Sequence, residues 1–146
     1  MVSLDSLVAG LFVSIRILAG YPVPERLPDV TFVPQAELSR LLCTGNCTVN
    51  GAFLPDRGVL ISDKLDPISD PVARSVLLHE LVHYQQELHR RFEDRPACER
   101  TILREREAYA VQNRYLARYS LPGATMMVPS EWLAACPSLL QSSSPP

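Results

Sequence analysis

Residues four apart on an α-helix lie one above the other on the same face. The chain places His79-Glu80-Leu81-Val82-His83 inside a segment whose apolar spacing is helical. Two imidazoles one turn apart reach a single Zn²⁺, and the glutamate between them faces a water on that metal. Two of the three histidines of the chain are spent in these five residues. A catalytic zinc takes three protein ligands and leaves a further position open. The fold therefore has to bring one more ligand to this helix from elsewhere in the chain.

A chain of 146 residues forms one domain by default and is long enough to bury its own core. The arginines between Arg90 and Arg106 are interleaved with acids, and the net charge is −2. That pattern gives no footprint for nucleic acid. No apolar run is long enough to span a membrane. Residues 4–19 are apolar but interrupted by Asp5 and Arg16, with no basic region before them, so they read as an amphipathic helix packed on the core. Nothing indicates an oligomer, and a monomer is the default.

The four cysteines suit two disulfides, Cys43–Cys47 across a short polar loop and Cys98–Cys136. That reading implies a periplasmic or secreted protein whose leader is absent from this sequence. Free buried thiols would instead imply the cytoplasm.

Residues 3–19 read as a helix ended by Gly20, and Val30–Val33 as a short strand. Pro34 suits the first turn of a helix through Leu42. Thr48–Leu54 and Gly58–Asp63 read as a β-hairpin around Pro55-Asp56-Arg57-Gly58. Asp70 caps a helix that begins at Pro71 and runs to Leu88. A second long helix runs from about Ala97 to Tyr119, and a short one starts at Pro129. The order predicts an α+β fold, with one domain over residues 1–137 and a disordered tail over 138–146.

Three residues compete to complete the metal site. His89 has the spacing of the metzincin motif, but Gln86 stands where that motif needs a helix-breaking glycine. Glu107 has Leu103, Ala110 and Val111 at helical spacing, so it projects from an apolar stripe toward the core. A carboxylate there needs a partner, and a metal is one. Glu105 lies between Arg104 and Arg106 and reads as their solvated partner. The stripe favours Glu107.

The run His79-Glu80-Leu81-Val82-His83-Tyr84-Gln85-Gln86, followed by Glu105-Arg106-Glu107-Ala108-Tyr109-Ala110-Val111-Gln112, resembles the gluzincin branch of zincin-like metallopeptidases over about residues 48–119. The H-E-x-x-H part is specific for zincins. The resemblance implies a single zincin-like domain: an N-terminal helix, a small sheet with a hairpin edge strand, the H-E-x-x-H helix and a glutamate-bearing helix after it. It implies Zn²⁺ held by His79, His83 and Glu107, and a peptide or protein substrate paired with an edge strand beside the cleft, matched by Gly58–Asp63. Larger gluzincins carry a second domain as the far wall of the cleft, and with little chain after residue 137 this cleft is expected to be shallow or open.

The function this implies is zinc-dependent peptide hydrolysis. Glu80 would take the proton of the attacking water and pass it to the leaving amine. Tyr109, or else Tyr84, would stabilise the oxyanion. Asp63, Asp66, Gln112 and Asn113 are available to orient the imidazoles. A binding or scaffold module is the alternative, its structural metal closed by His89 or a cysteine, and a metal-free interaction protein is a third.

Overall fold

The computed structural model describes residues 2–43, 47–119, 121 and 127–141. Among these it has six helices and a three-stranded sheet, the α+β class expected. Helix α1 spans Leu4–Ala19, strand β1 Val30–Val33 and helix α2 Gln35–Leu42. Strands β2 (Gly51–Leu54) and β3 (Gly58–Ser62) form the hairpin. Helices α3 (Pro71–Leu88) and α4 (Ala97–Ala117) follow, then the short α5 (Ser130–Ala134) and α6 (Pro137–Gln141).

Helix α1 starts where the Ser3 hydroxyl accepts from the Ser6 N–H at 3.1 Å, and it ends at Gly20 with φ 83°. Its Val8, Leu11, Phe12 and Ile15 recur at helical spacing and are buried. They pack with Leu77, Leu78, Leu81 and Val82 of α3 and with Ala108, Val111 and Tyr115 of α4.

The sheet order is β1-β3-β2, with β1 parallel and β2 antiparallel to β3. Strand β3 is therefore central, and side chains alternate across it. Val59 and Ile61 join the main core, whereas Leu60 packs under α2 with Val33 and Leu38. The sheet is thus covered by α1 and α3 on one face and by α2 on the other. At the hairpin, Arg57 N–H closes the turn onto Leu54 C=O at 3.0 Å. Gly58 follows with φ 83°, and a Cβ there would meet the Asp29 carbonyl oxygen at 2.5 Å, so only glycine fits.

Two expectations change. Gly58–Asp63 was matched to the edge strand beside the cleft, but β3 is paired on both sides and the edges are β1 and β2. The reason is β1, distant in sequence, which takes the second side of β3. Residues 138–141, expected in the tail, belong to α6, and Leu139 is buried with Ile102 and Cys136. Residues 142–146, also expected in the tail, lie outside the described residues.

The cysteines pair as the sequence suggests. Cys43 and Cys47 have Cα atoms 6.1 Å apart, and Cys98 and Cys136 5.7 Å, both within disulfide range. No helix among the described residues is long and apolar enough to cross a membrane.

Candidate metal centre

Helix α3 is covered on nearly every side, yet one stripe of it is polar. Ser75, His79, His83 and Gln86 recur at spacings of four, four and three and face α4. The helix starts as expected, with the Asp70 carboxylate accepting from Val72 N–H at 2.9 Å and Pro71 in its first turn. It ends in a Schellman motif. Arg91 N–H reaches Gln86 C=O at 2.8 Å and Arg90 N–H reaches Glu87 C=O at 3.2 Å, with Arg90 left-handed at φ 53°. His89 caps this end with its ring 5.6 Å from that of Tyr21. It is not among the residues that gather at His79 and His83, so the metzincin route is not followed.

The third carboxylate at the pair is Glu105. Its Oε2 lies 3.1 Å from His79 Nε2 and its Oε1 2.9 Å from His83 Nε2, and the two Nε2 atoms are 3.1 Å apart. Glu107, favoured by the stripe, is placed elsewhere. It accepts from the Tyr21 hydroxyl, from Gln86 Nε2 at 3.1 Å and from Arg91 Nε at 3.2 Å. The stripe rule assumed that polar groups on α4 face water. In fact α4 meets α3 through Glu105, Ala108 and Gln112, a stripe polar in composition because α3 brings its histidines there. The signal in the sequence was Ala108, a small and fully buried residue at the helix contact, three after Glu105 and four before Gln112.

Each imidazole is oriented from behind by a buried glutamine. Gln112 Oε1 is 3.0 Å from His79 Nδ1, and its Nε2 donates to Ser75 Oγ at 3.0 Å. Gln86 Oε1 is 2.8 Å from His83 Nδ1, and its Nε2 donates to Arg104 C=O at 2.8 Å. With carbonyl oxygens facing them, both Nδ1 atoms carry the proton and both Nε2 atoms keep a lone pair. Gln112 was among the residues expected to orient the histidines. Gln86 was read only as an absent glycine, and Asp66 instead caps its own loop at Ile68 and Ser69.

The two lone pairs and a carboxylate thus converge within 3.1 Å, with no hydrogen left to place among them. Such an arrangement is repulsive unless a cation sits inside it. The donors of a tetrahedral zinc, bonded at about 2.0–2.2 Å, stand roughly 3.3 Å apart. The three groups fit that requirement, and among the described residues they are the ones that can hold a metal together. Without a metal a proton takes its place. Burial works to lower the His83 pKa, but the hydrogen bond it donates to Glu105 and the charges of Glu80 and Glu105 outweigh it and raise it to about 9. Burial works to raise the Glu105 pKa, and its hydrogen bonds from His79 and His83 more than offset that, holding it at about 2.

Glu80, next to His79 in the same turn, lines the groove beside the two histidines. Its side chain is buried, which raises its pKa, and the positive charge at His79 and His83 and the Phe53 backbone N–H work against that rise. Phe53 belongs to edge strand β2. Ser62 N–H bonds to Asn50 C=O at 2.9 Å, so the two-residue period turns the N–H and C=O groups of Gly51 and Phe53 away from β3. They border a groove of about 800 Å³ that His79, Glu80, His83 and Glu105 also line.

Tyr109 lines the groove with its ring 4.6 Å from that of His79. Burial, then the charges of Glu105 and Glu80, raise its pKa, so it is a proton donor at neutral pH. Tyr84, the other expected donor, is turned away: its hydroxyl bonds to Arg26 C=O at 2.8 Å and its ring packs against Phe12 and Phe53. Pro129 and Trp132 also line the groove, and Cys98–Cys136 ties the segment that follows them to the start of α4.

Comparison of the chain with protein-family profiles, with curated proteins and with solved structures gives no match.

Proposed function

We propose that the protein is a zinc-dependent hydrolase of peptide bonds, with His79, His83 and Glu105 as the metal ligands. The observation that carries this reading is the convergence of three lone-pair donors beside the buried carboxylate of Glu80, at the floor of a groove bordered by a sheet edge. A glutamate on the helix after H-E-x-x-H is also what the gluzincin resemblance implies, and Glu105 fills that role in place of Glu107.

Bound there, zinc supplies a Lewis acid for the scissile carbonyl and lowers the pKa of a water from 15.7 to about 7. The chain does the rest. The Gly51 N–H and C=O and the Phe53 C=O align an extended peptide along β2. Glu80 accepts the proton of the attacking water and delivers it to the leaving amine; its burial favours this, because a raised carboxyl pKa suits proton transfer near neutrality. The Tyr109 hydroxyl donates to the developing oxyanion. The two cysteine pairs suit an oxidising compartment outside the cytoplasm.

A closed structural metal would need a fourth protein ligand. Among the described residues the group has three, and it faces the groove, which favours the catalytic reading over a scaffold. The test is Glu80→Gln in zinc-loaded protein assayed on a mixed peptide library. Zinc should remain at one per chain and cleavage should disappear; cleavage at the wild-type rate would refute the role of Glu80.

A further inference from the structure

Glu107 is a carboxylate two residues from a metal ligand, yet it is bonded to none of the three. It gathers donors from three separate parts of the chain: Tyr21 from the segment after α1, Arg91 from the α3–α4 turn and Gln86 from α3. Gln86 is fully buried, so both ends of its amide need partners. One N–H partner is the Arg104 carbonyl at 2.8 Å and the other is Glu107 Oε1 at 3.1 Å. Both are acceptors. If the amide turned over, its carbonyl oxygen would face these two acceptors, and its NH₂ would face the Nδ1–H of His83. The Arg104 carbonyl and Glu107 together therefore permit one amide orientation, the one that presents Oε1 to His83 Nδ1 at 2.8 Å.

We propose that Glu107 is a positioning residue for the metal site, acting on His83 through Gln86, with Tyr21 and Arg91 holding its carboxylate in place. This inference rests on the metal-site reading. The chain Tyr21–Glu107–Gln86–His83 fixes which imidazole nitrogen carries the proton and aims the other at the metal. It also ties the metal site to the segment that follows α1. Partners of this kind, behind the ligands, typically govern metal affinity by about 10- to 100-fold.

The experiment is zinc affinity of the full chain, measured by competition with a chromophoric chelator at fixed pH. Glu107→Met keeps the volume and removes the acceptor, and should weaken zinc binding about tenfold. Glu107→Asp keeps the charge but draws the carboxylate about 1.5 Å away from Gln86, and should weaken it more than about threefold. Glu107→Gln keeps an acceptor oxygen and should stay within about threefold of wild type. If Glu107 works through Gln86, then adding Glu107→Met to Gln86→Ala costs no further affinity. Should Glu107→Met not fold, Glu107→Asp and Glu107→Gln carry the test. Wild-type zinc binding with Glu107→Asp within twofold of it, or full additivity with Gln86→Ala, overturns the inference. A wild-type chain that takes up no zinc overturns the metal-site reading itself, which is a different outcome.

Discussion

Lowering the pH from 8 to 6 should loosen zinc binding by close to two orders of magnitude through His83 alone. In the metal-free site His83 holds a proton with a pKa raised to about 9, because Glu105 and Glu80 face it more strongly than burial disfavours its charge. Glu105 stays ionised down to about pH 2, so it contributes no proton in this window. Zinc must displace the His83 proton, because both occupy the same Nε2 lone pair. The unprotonated fraction of His83 is about 0.1 at pH 8 and about 0.001 at pH 6, a ratio of about 90. The sign agrees with linkage. A raised histidine pKa stabilises the metal-free fold fully below pH 6.5, by up to about 3 kcal/mol, and that contribution is lost as pH rises through 9. Chelator competition, corrected for the chelator's own protonation, measures the zinc affinity at each pH. A change below about threefold between pH 8 and 6 would refute the competition between proton and metal at His83.

Three further predictions follow from the groove. A Cβ at Gly51 would lie 3.0 Å from Ile61 Cδ1 and 3.2 Å from both Glu80 Cγ and the Leu60 carbonyl oxygen, so Gly51→Ala must push the edge strand or Glu80 aside. We expect a loss of about 1–3 kcal/mol in urea unfolding with zinc stoichiometry unchanged, and an unaltered midpoint would contradict the contact. Tyr109→Phe should lower kcat about a hundredfold while leaving zinc affinity intact; equal kcat values would remove Tyr109 from the reaction. The single tryptophan, Trp132, lines the groove. Cys98→Ala with Cys136→Ala should shift its fluorescence to longer wavelength without loss of zinc, and an unshifted spectrum would mean that the disulfide does not hold that segment.

Much of this arrangement was legible in the sequence because its signals are local. Asp70 and Pro71 announce α3, and the spacing of His79 and His83 fixes their common face. The end of α3 was harder to read, since its Schellman motif uses Arg90 rather than glycine. The structure brings Glu105 rather than Glu107 to the two histidines for a physical reason: apolar periodicity locates a core, but α3 and α4 meet here along a shared polar stripe. A buried Ala108 between Glu105 and Gln112 marks that contact better than the leucines do. The identity of the edge strand depends on β1 pairing with β3, a contact between segments distant in the chain that no local pattern encodes. Helix α6 was missed because Pro137–Gln141 is only five residues long, too short to show a helical period, although Cys136 had already placed its start beside α4.

Diffraction from zinc-loaded crystals, recorded on both sides of the zinc absorption edge, tests the central claim most directly. The account predicts one anomalous peak, bonded at about 2.0–2.2 Å to His79 Nε2, His83 Nε2 and a Glu105 carboxylate oxygen, with no fourth protein ligand. A peak bonded to Glu107 or His89, or the absence of a peak between the two histidines, would contradict it.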